Sequence, residues 1–101
     1  MAVSYLSKHG FEILERNYRH GRGEIDIICL YKNELLVFVE VKLRKDVGYG
    51  MPEEFVSNAQ QRMVISTAED YIFAVNWKKD IRFDIIAIHE NKIEHIEDAF
   101  Y

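Results

Sequence analysis

The chain has 101 residues with 13 basic and 17 acidic side chains, a net charge of −4, and 49% hydrophobic residues. That length buries about 60–65% of its unfolded surface, enough for one core and too little for two. Disordered and fibrous classes are excluded by 30% charged residues with one Pro and five Gly. The single Cys excludes a disulfide framework or a Cys-based zinc site within one chain.

Val3 to His9 reads as the end of a short helix, with Gly10 where a C-terminal cap belongs. Phe11 to His20 reads as a strand and Gly21-Arg22-Gly23 as a turn permissive of positive φ. Glu24–Tyr31 and Leu35–Leu43 are the strongest strand candidates, rich in Ile, Val and Leu. Gly48 and Gly50 mark a loop. Pro52 with Glu53 and Glu54 then suits the first turn of a helix, with acids at the positive end of its dipole. Phe55, Ala59, Met63, Ala68, Ile72 and Val75 recur at helical spacing and define a packing face. Strands near Ile81–Ile88 and Lys92–Ile96 complete the chain. This order predicts one α/β domain over residues 1–101, a mixed sheet covered by helices. No apolar run approaches the roughly 18 residues of a membrane span, and the opening residues lack a signal peptide's basic and apolar regions. A cytoplasmic domain without membrane contact is the expectation.

The two central strands can be registered from their pattern. If Lys32-Asn33-Glu34 is a three-residue loop, paired residues sum to 66, placing Asp26 opposite Glu40, Glu24 opposite Lys42 and Ile28 opposite Phe38. One face is then almost wholly apolar, from Ile25 through Leu43, and the other is charged at its far end. An odd sum would set apolar residues against charged ones. Like charges directly opposed are destabilising, so Asp26 and Glu40 call for a cation between them or a proton on one. Mg²⁺ (or Mn²⁺) suits two carboxylates, a carbonyl such as that of Val41, and waters. Lys42 shares the face of Glu40. Such a set fits hydrolysis of phosphodiesters, where an ion acidifies water and neutralises developing charge.

Asp26, a spacer, then Glu40-Val41-Lys42 resembles the PD-(D/E)xK nuclease signature, with Ile25 where that name has Pro. More widely, Tyr5-Leu6 with Gly10, Ile13-Leu14 with Arg16-Asn17, and Gly23-Glu24-Ile25-Asp26 resemble the YraN-like family of small proteins. So do Val37-Phe38-Val39-Glu40-Val41-Lys42 with Arg44, Arg82-Phe83-Asp84, and Ala99-Phe100. The resemblance implies a restriction-endonuclease-like fold related to archaeal Holliday-junction resolvases. It makes Asp26 and Glu40 metal ligands and Lys42 the catalytic lysine. Gln60 stands where many relatives carry Lys.

The remaining residues are read against plainer roles. Lys42 with Glu24 as cross-strand partner is an orienting charge rather than a free base, and Glu24 supports the site from behind. Arg16, Arg19 and Arg22, with Arg44 and Lys45, form a candidate phosphate track. The His residues (His9, His20, His89, His95) lack zinc spacing and read as surface positions. Cys29 reads as a buried small hydrophobe, Arg82 with Asp84 as a structural ion pair, and Trp77 as a helix-end anchor. The expected function is a divalent-metal-dependent endonuclease on structured DNA, for which a homodimer would present two sites. The alternatives are a nucleic-acid-binding module without catalysis and a protein-interaction subunit using the acidic residues 84–98.

Overall fold

The computed structural model describes residues 1–44 and 56–101. Its elements are α1 (Ala2–Lys8), β1 (Phe11–His20), β2 (Gly23–Tyr31), β3 (Leu35–Leu43), α2 (Asn58–Val75), β4 (Asp80–His89) and β5 (Lys92–Ile96). The five strands form one sheet in chain order. β1, β2 and β3 are antiparallel neighbours, β3 and β4 run parallel, and β4 and β5 form an antiparallel pair. The parallel step carries α2 between its strands, as parallel neighbours require a crossover. The result is the mixed α/β architecture of restriction-endonuclease-like proteins. Among the described residues, no helix is long and apolar enough to cross a membrane.

The sheet has a core on each face. Ala2 and Leu6 of α1 pack with Phe11, Ile27, Cys29, Val37, Val39 and Ile86. On the other face, Val64, Ala68 and Tyr71 of α2 pack with Ile25, Ile28, Leu36, Phe38, Phe83 and Ile85. Phe38, Phe83 and Phe100 stack in a row with ring centroids 5.3 and 5.2 Å apart. Cys29 is fully buried, and burial, then the nearby Asp84 charge, pushes its thiol up to about 12. It is the inert hydrophobe expected.

The turns explain several element ends. Gly10 follows α1 at φ +89, the left-handed geometry of a helix stop. The β2–β3 loop places Lys32 and Asn33 at positive φ, and the Glu34 amide bonds the Tyr31 carbonyl at 3.1 Å. α2 begins after Ser57, whose hydroxyl accepts the Gln60 amide at 3.1 Å, and ends on Asn76 at φ 57. The helix therefore starts later than Pro52, which lies outside the described residues together with Gly48, Gly50 and Phe55. Trp77 anchors its far end by donating to the Asp80 carbonyl at 2.9 Å.

Three expectations need correction. The buried positions of α2 are Val64, Thr67, Ala68 and Tyr71, whereas Ala59, Met63 and Val75 face solvent. Thr67 and Tyr71 hide apolar bodies behind hydroxyls, so apolar spacing alone selected a neighbouring stripe. Gly23 is not a positive-φ position; a Cβ there would lie 1.8 Å from Thr67 Oγ1, so its lack of side chain lets α2 rest on β2. Finally, His95 is no surface residue, since its Nε2 lies 2.7 Å from buried Asp84. His89 is partly buried too, with Nδ1 2.8 Å from the Arg44 carbonyl oxygen.

Candidate functional site

The β2–β3 ladder follows the expected register from Tyr31↔Leu35 to Ile27↔Val39 and stops there. Beyond that point β2 loses its alternation: Ile25 packs on the α2 face while Ile27 packs on the α1 face. Two residues apart on a regular strand would share a face, so the irregularity is centred on Asp26. Asn17, which neighbours this point on β1, adopts φ 51 and drops out of the β1–β2 pairing. The apolar face drawn through Ile25 is therefore broken at Asp26. Leu43 at its far end is 77% exposed.

Where the strands part, side chain replaces main chain. The Val41 amide donates to Asp26 Oδ2 at 2.8 Å, fixing this carboxylate at the head of the gap. Asp26 also lines a cleft of about 510 Å³ with Arg16, Asn17 and Val41. Glu40 lies within the adjacent core, 4% exposed. Burial, then the charge of Asp26, pushes its pKa from 4.5 up to about 8 against the opposing pull of Lys42. Its Oε1 is buried and meets no N–H donor among the described residues; a proton on Glu40 is instead shared with Asp26, a hydrogen bond that adds to the rise. Were Glu40 ionised, that oxygen would have no donor, a cost of about 1–3 kcal/mol or more.

Gln60, in the first turn of α2, bridges the remaining groups. Its Oε1 accepts from Lys42 Nζ at 3.1 Å, and its Nε2 donates to Glu40 Oε2 at 3.4 Å. Lys42 is thus held by Gln60 rather than by Glu24, which is taken by Arg19 at 2.7 Å. The sequence held a signal for Gln60: Ser57-Asn58-Ala59-Gln60 is a capping-box pattern. That pattern fixes the helix start and therefore which residue turns toward Glu40.

Asp26 and Glu40 are hard oxygen donors of the kind a divalent cation takes. No group of three or more His, Cys, Asp or Glu side chains stands together among the described residues. Asp26 and Glu40 are therefore a two-carboxylate pair rather than part of a larger side-chain cluster.

The basic residues separate. Arg16 is exposed beside the Asp26 cleft. Arg19 is tied to Glu24, and Arg22 is exposed in the β1–β2 turn. Arg44 lies against β5, with Nη1 3.4 Å from Glu94 Oε1. Lys45 is outside the described residues. Arg82 and Asp84 form the expected structural pair, with Nε and Nη2 each 2.8 Å from a carboxylate oxygen.

Fold and strand register place this chain in the restriction-endonuclease-like α/β class. A family model, "Uncharacterised protein family UPF0102", matches residues 1–88. A UPF0102 protein of Cytophaga hutchinsonii is 47% identical over 99 residues, covering 97% of this chain and 87% of its own. Another from Flavobacterium psychrophilum is 42% identical over 105 residues, covering 100% and 87%. A third, from Caldanaerobacter subterraneus, is 44% identical over 108 residues, covering 99% and 88%. The chain belongs to the UPF0102 family, which bears out the YraN-like resemblance read from its residues.

Proposed function

We propose that this protein is a Mg²⁺- or Mn²⁺-dependent endonuclease that hydrolyses phosphodiester bonds in structured DNA. The observation that carries this reading is Glu40: a carboxyl 4% exposed, its pKa pushed up to about 8, beside Asp26 and Lys42. A buried acid so placed is costly to ionise unless a cation joins it. Asp26, Glu40 and the Val41 carbonyl would hold the ion. Once bound, it would acidify water and offset charge on the scissile phosphate.

The chain's own groups do the rest. The Val41 amide fixes Asp26 and so presets one carboxylate. Gln60 steadies Lys42 through one of its three N–H bonds, leaving the other two for a phosphate oxygen. Lys42 thereby orients and neutralises. Arg16, exposed beside Asp26, suits a neighbouring phosphate.

The test is a melting titration with Mg²⁺ and Mn²⁺ beside cleavage assays on junction, flap, single-strand and RNA substrates. Asp26→Asn should lose the metal-induced rise in melting temperature. Lys42→Ala should keep that rise while cleavage falls by orders of magnitude. A melting curve unmoved by millimolar metal, with every substrate intact, would replace the enzyme with a binding module.

A further inference from the structure

A second concave site lies at the opposite end of β2. Tyr31 stands five residues beyond Asp26 on that strand, about 17 Å away at 3.3–3.4 Å per residue. There a cleft of about 340 Å³ is lined by Tyr5, His9, Phe11, Tyr31, Arg82, His95 and Glu97, the last with a carboxylate oxygen 3.6 Å from Arg82 Nη2. Its walls are two aromatic pairs. Tyr5 and His9 lie with ring centroids 4.2 Å apart, and Phe11 and Tyr31 4.8 Å apart. His95 stands between them, 5.6 Å from Tyr5 and 5.9 Å from Phe11.

The floor is locked from beneath. Burial would raise the pKa of Asp84, but hydrogen bonds from His95, Arg82 and the Asp98 amide hold it below its ordinary 3.8. Ionised Asp84 only accepts, so His95 Nε2 carries the proton it gives at 2.7 Å. In the neutral ring Nδ1 is then the acceptor for Tyr5 OH, 3.3 Å away. These polar atoms bond inward, which fixes the Tyr5 and His95 rings in the cleft lining. Arg82 uses Nε and Nη2 on Asp84, and no hydrogen bond to Nη1 is found among the described residues. At its rim Lys32 sits over the Tyr31 ring with Nζ 5.1 Å from the centroid, a cation beside the Arg82–Glu97 pair of the lining.

We infer that this cleft takes an unpaired nucleobase of a single-stranded nucleic acid segment. Aromatic walls stack a planar ring of any base identity. Arg82 Nη1 can donate to an acceptor on the ring's edge. Lys32, over the Tyr31 ring, can meet a flanking phosphate, which a neutral aromatic ligand would not need. The span to Asp26 corresponds to about five stacked nucleotides, so one strand could reach both sites. The inference deepens the proposed function, and it rests on nucleic acid being the substrate but not on catalysis.

The test uses a short oligothymidylate containing one 2-aminopurine, titrated without metal so that only this cleft is read. Stacking should quench the probe, and the strand should bind more tightly than a blunt duplex of equal length. His9→Ala and Tyr31→Leu, at positions outside the fully buried core, should each weaken binding about ten-fold and reduce quenching, with the fold checked by melting. Lys32→Ala should reduce the salt dependence by about one phosphate. Unchanged quenching and affinity in folded His9→Ala and Tyr31→Leu proteins would overturn the assignment. So would equal affinity for the blunt duplex. Thymidine monophosphate binding as tightly as the oligonucleotide would replace the strand with a mononucleotide. Because metal response and cleavage read the Asp26–Glu40 site, either reading can fail while the other stands.

Discussion

Replacing Glu40 by Gln removes the charge and keeps the shape, which isolates what ionising this residue costs. Its pKa rises from an ordinary 4.5 to about 8, mainly through burial and then through Asp26. That difference of about 3.5, at 1.36 kcal/mol each, is on the order of 5 kcal/mol. The sign follows from proton counts: between pH 4.5 and 8 the folded chain holds a proton that the unfolded chain has released. Glu40 therefore makes stability fall as pH rises through that window, and its effect levels off above about pH 8. Glu40→Gln has no such slope. The two proteins should be nearly equally stable near pH 5, and the variant should lead by several kcal/mol at pH 8. Urea unfolding at a series of pH values, with and without Mg²⁺, measures the gap. Metal favours the ionised acid and should narrow the gap at pH 8 by stabilising only the wild type. Parallel pH profiles from 5 to 8, with no response to Mg²⁺, would refute the account of Glu40 as a buried acid awaiting a cation.

Two further outcomes test the frame around the site. Gly23→Ala would bring a Cβ to 1.8 Å from Thr67 Oγ1, an overpacking cost of about 1–3 kcal/mol or more in urea unfolding. Adding Thr67→Ala should recover much of it, and a Gly23→Ala protein as stable as wild type would show that α2 does not rest there. Asp84→Asn strips the carboxylate that Arg82 and His95 share and should cost about 3–5 kcal/mol at neutral pH. Because the folded pKa of Asp84 lies below 3.8, its contribution is present above that value and lost as pH falls through the lower one. The wild-type and variant stabilities should therefore converge in acid.

Most of the sheet was legible because strand signals are local. The apolar runs Glu24–Tyr31 and Leu35–Leu43, separated by three turn residues, admit one register that keeps charge off the core, and the ladder follows it. What pattern could not show was the break at Asp26. Alternation was extended through Ile25, but the side chain of Asp26 takes the Val41 amide and turns the strand, a choice made by tertiary contact. Pairing Lys42 with Glu24 failed for the same reason, since the strands have parted before reaching them. Gln60 was read only as a replaced Lys and His95 only as a surface residue because the contacts of each cross the fold: Gln60 reaches from α2 to β3, and His95 joins β5 to Asp84 and α1. The Arg82–Asp84 pair was readable, since residues two apart on a strand share a face.

The irregularities of β1 have a consequence for self-association. An edge strand exposes unpaired main-chain groups that invite another chain to extend the sheet. β1 is such an edge, yet its register shifts between Ile13 and Glu15, and Asn17 turns to φ 51. A docking strand would lose registry there and would face Glu12, Glu15, Arg16 and Arg19, all exposed. The opposite edge, β5, offers five residues and carries exposed Lys92 and Glu94. Both borders thus resist amyloid-like growth, and the bend that serves Asp26 also closes the sheet to runaway addition.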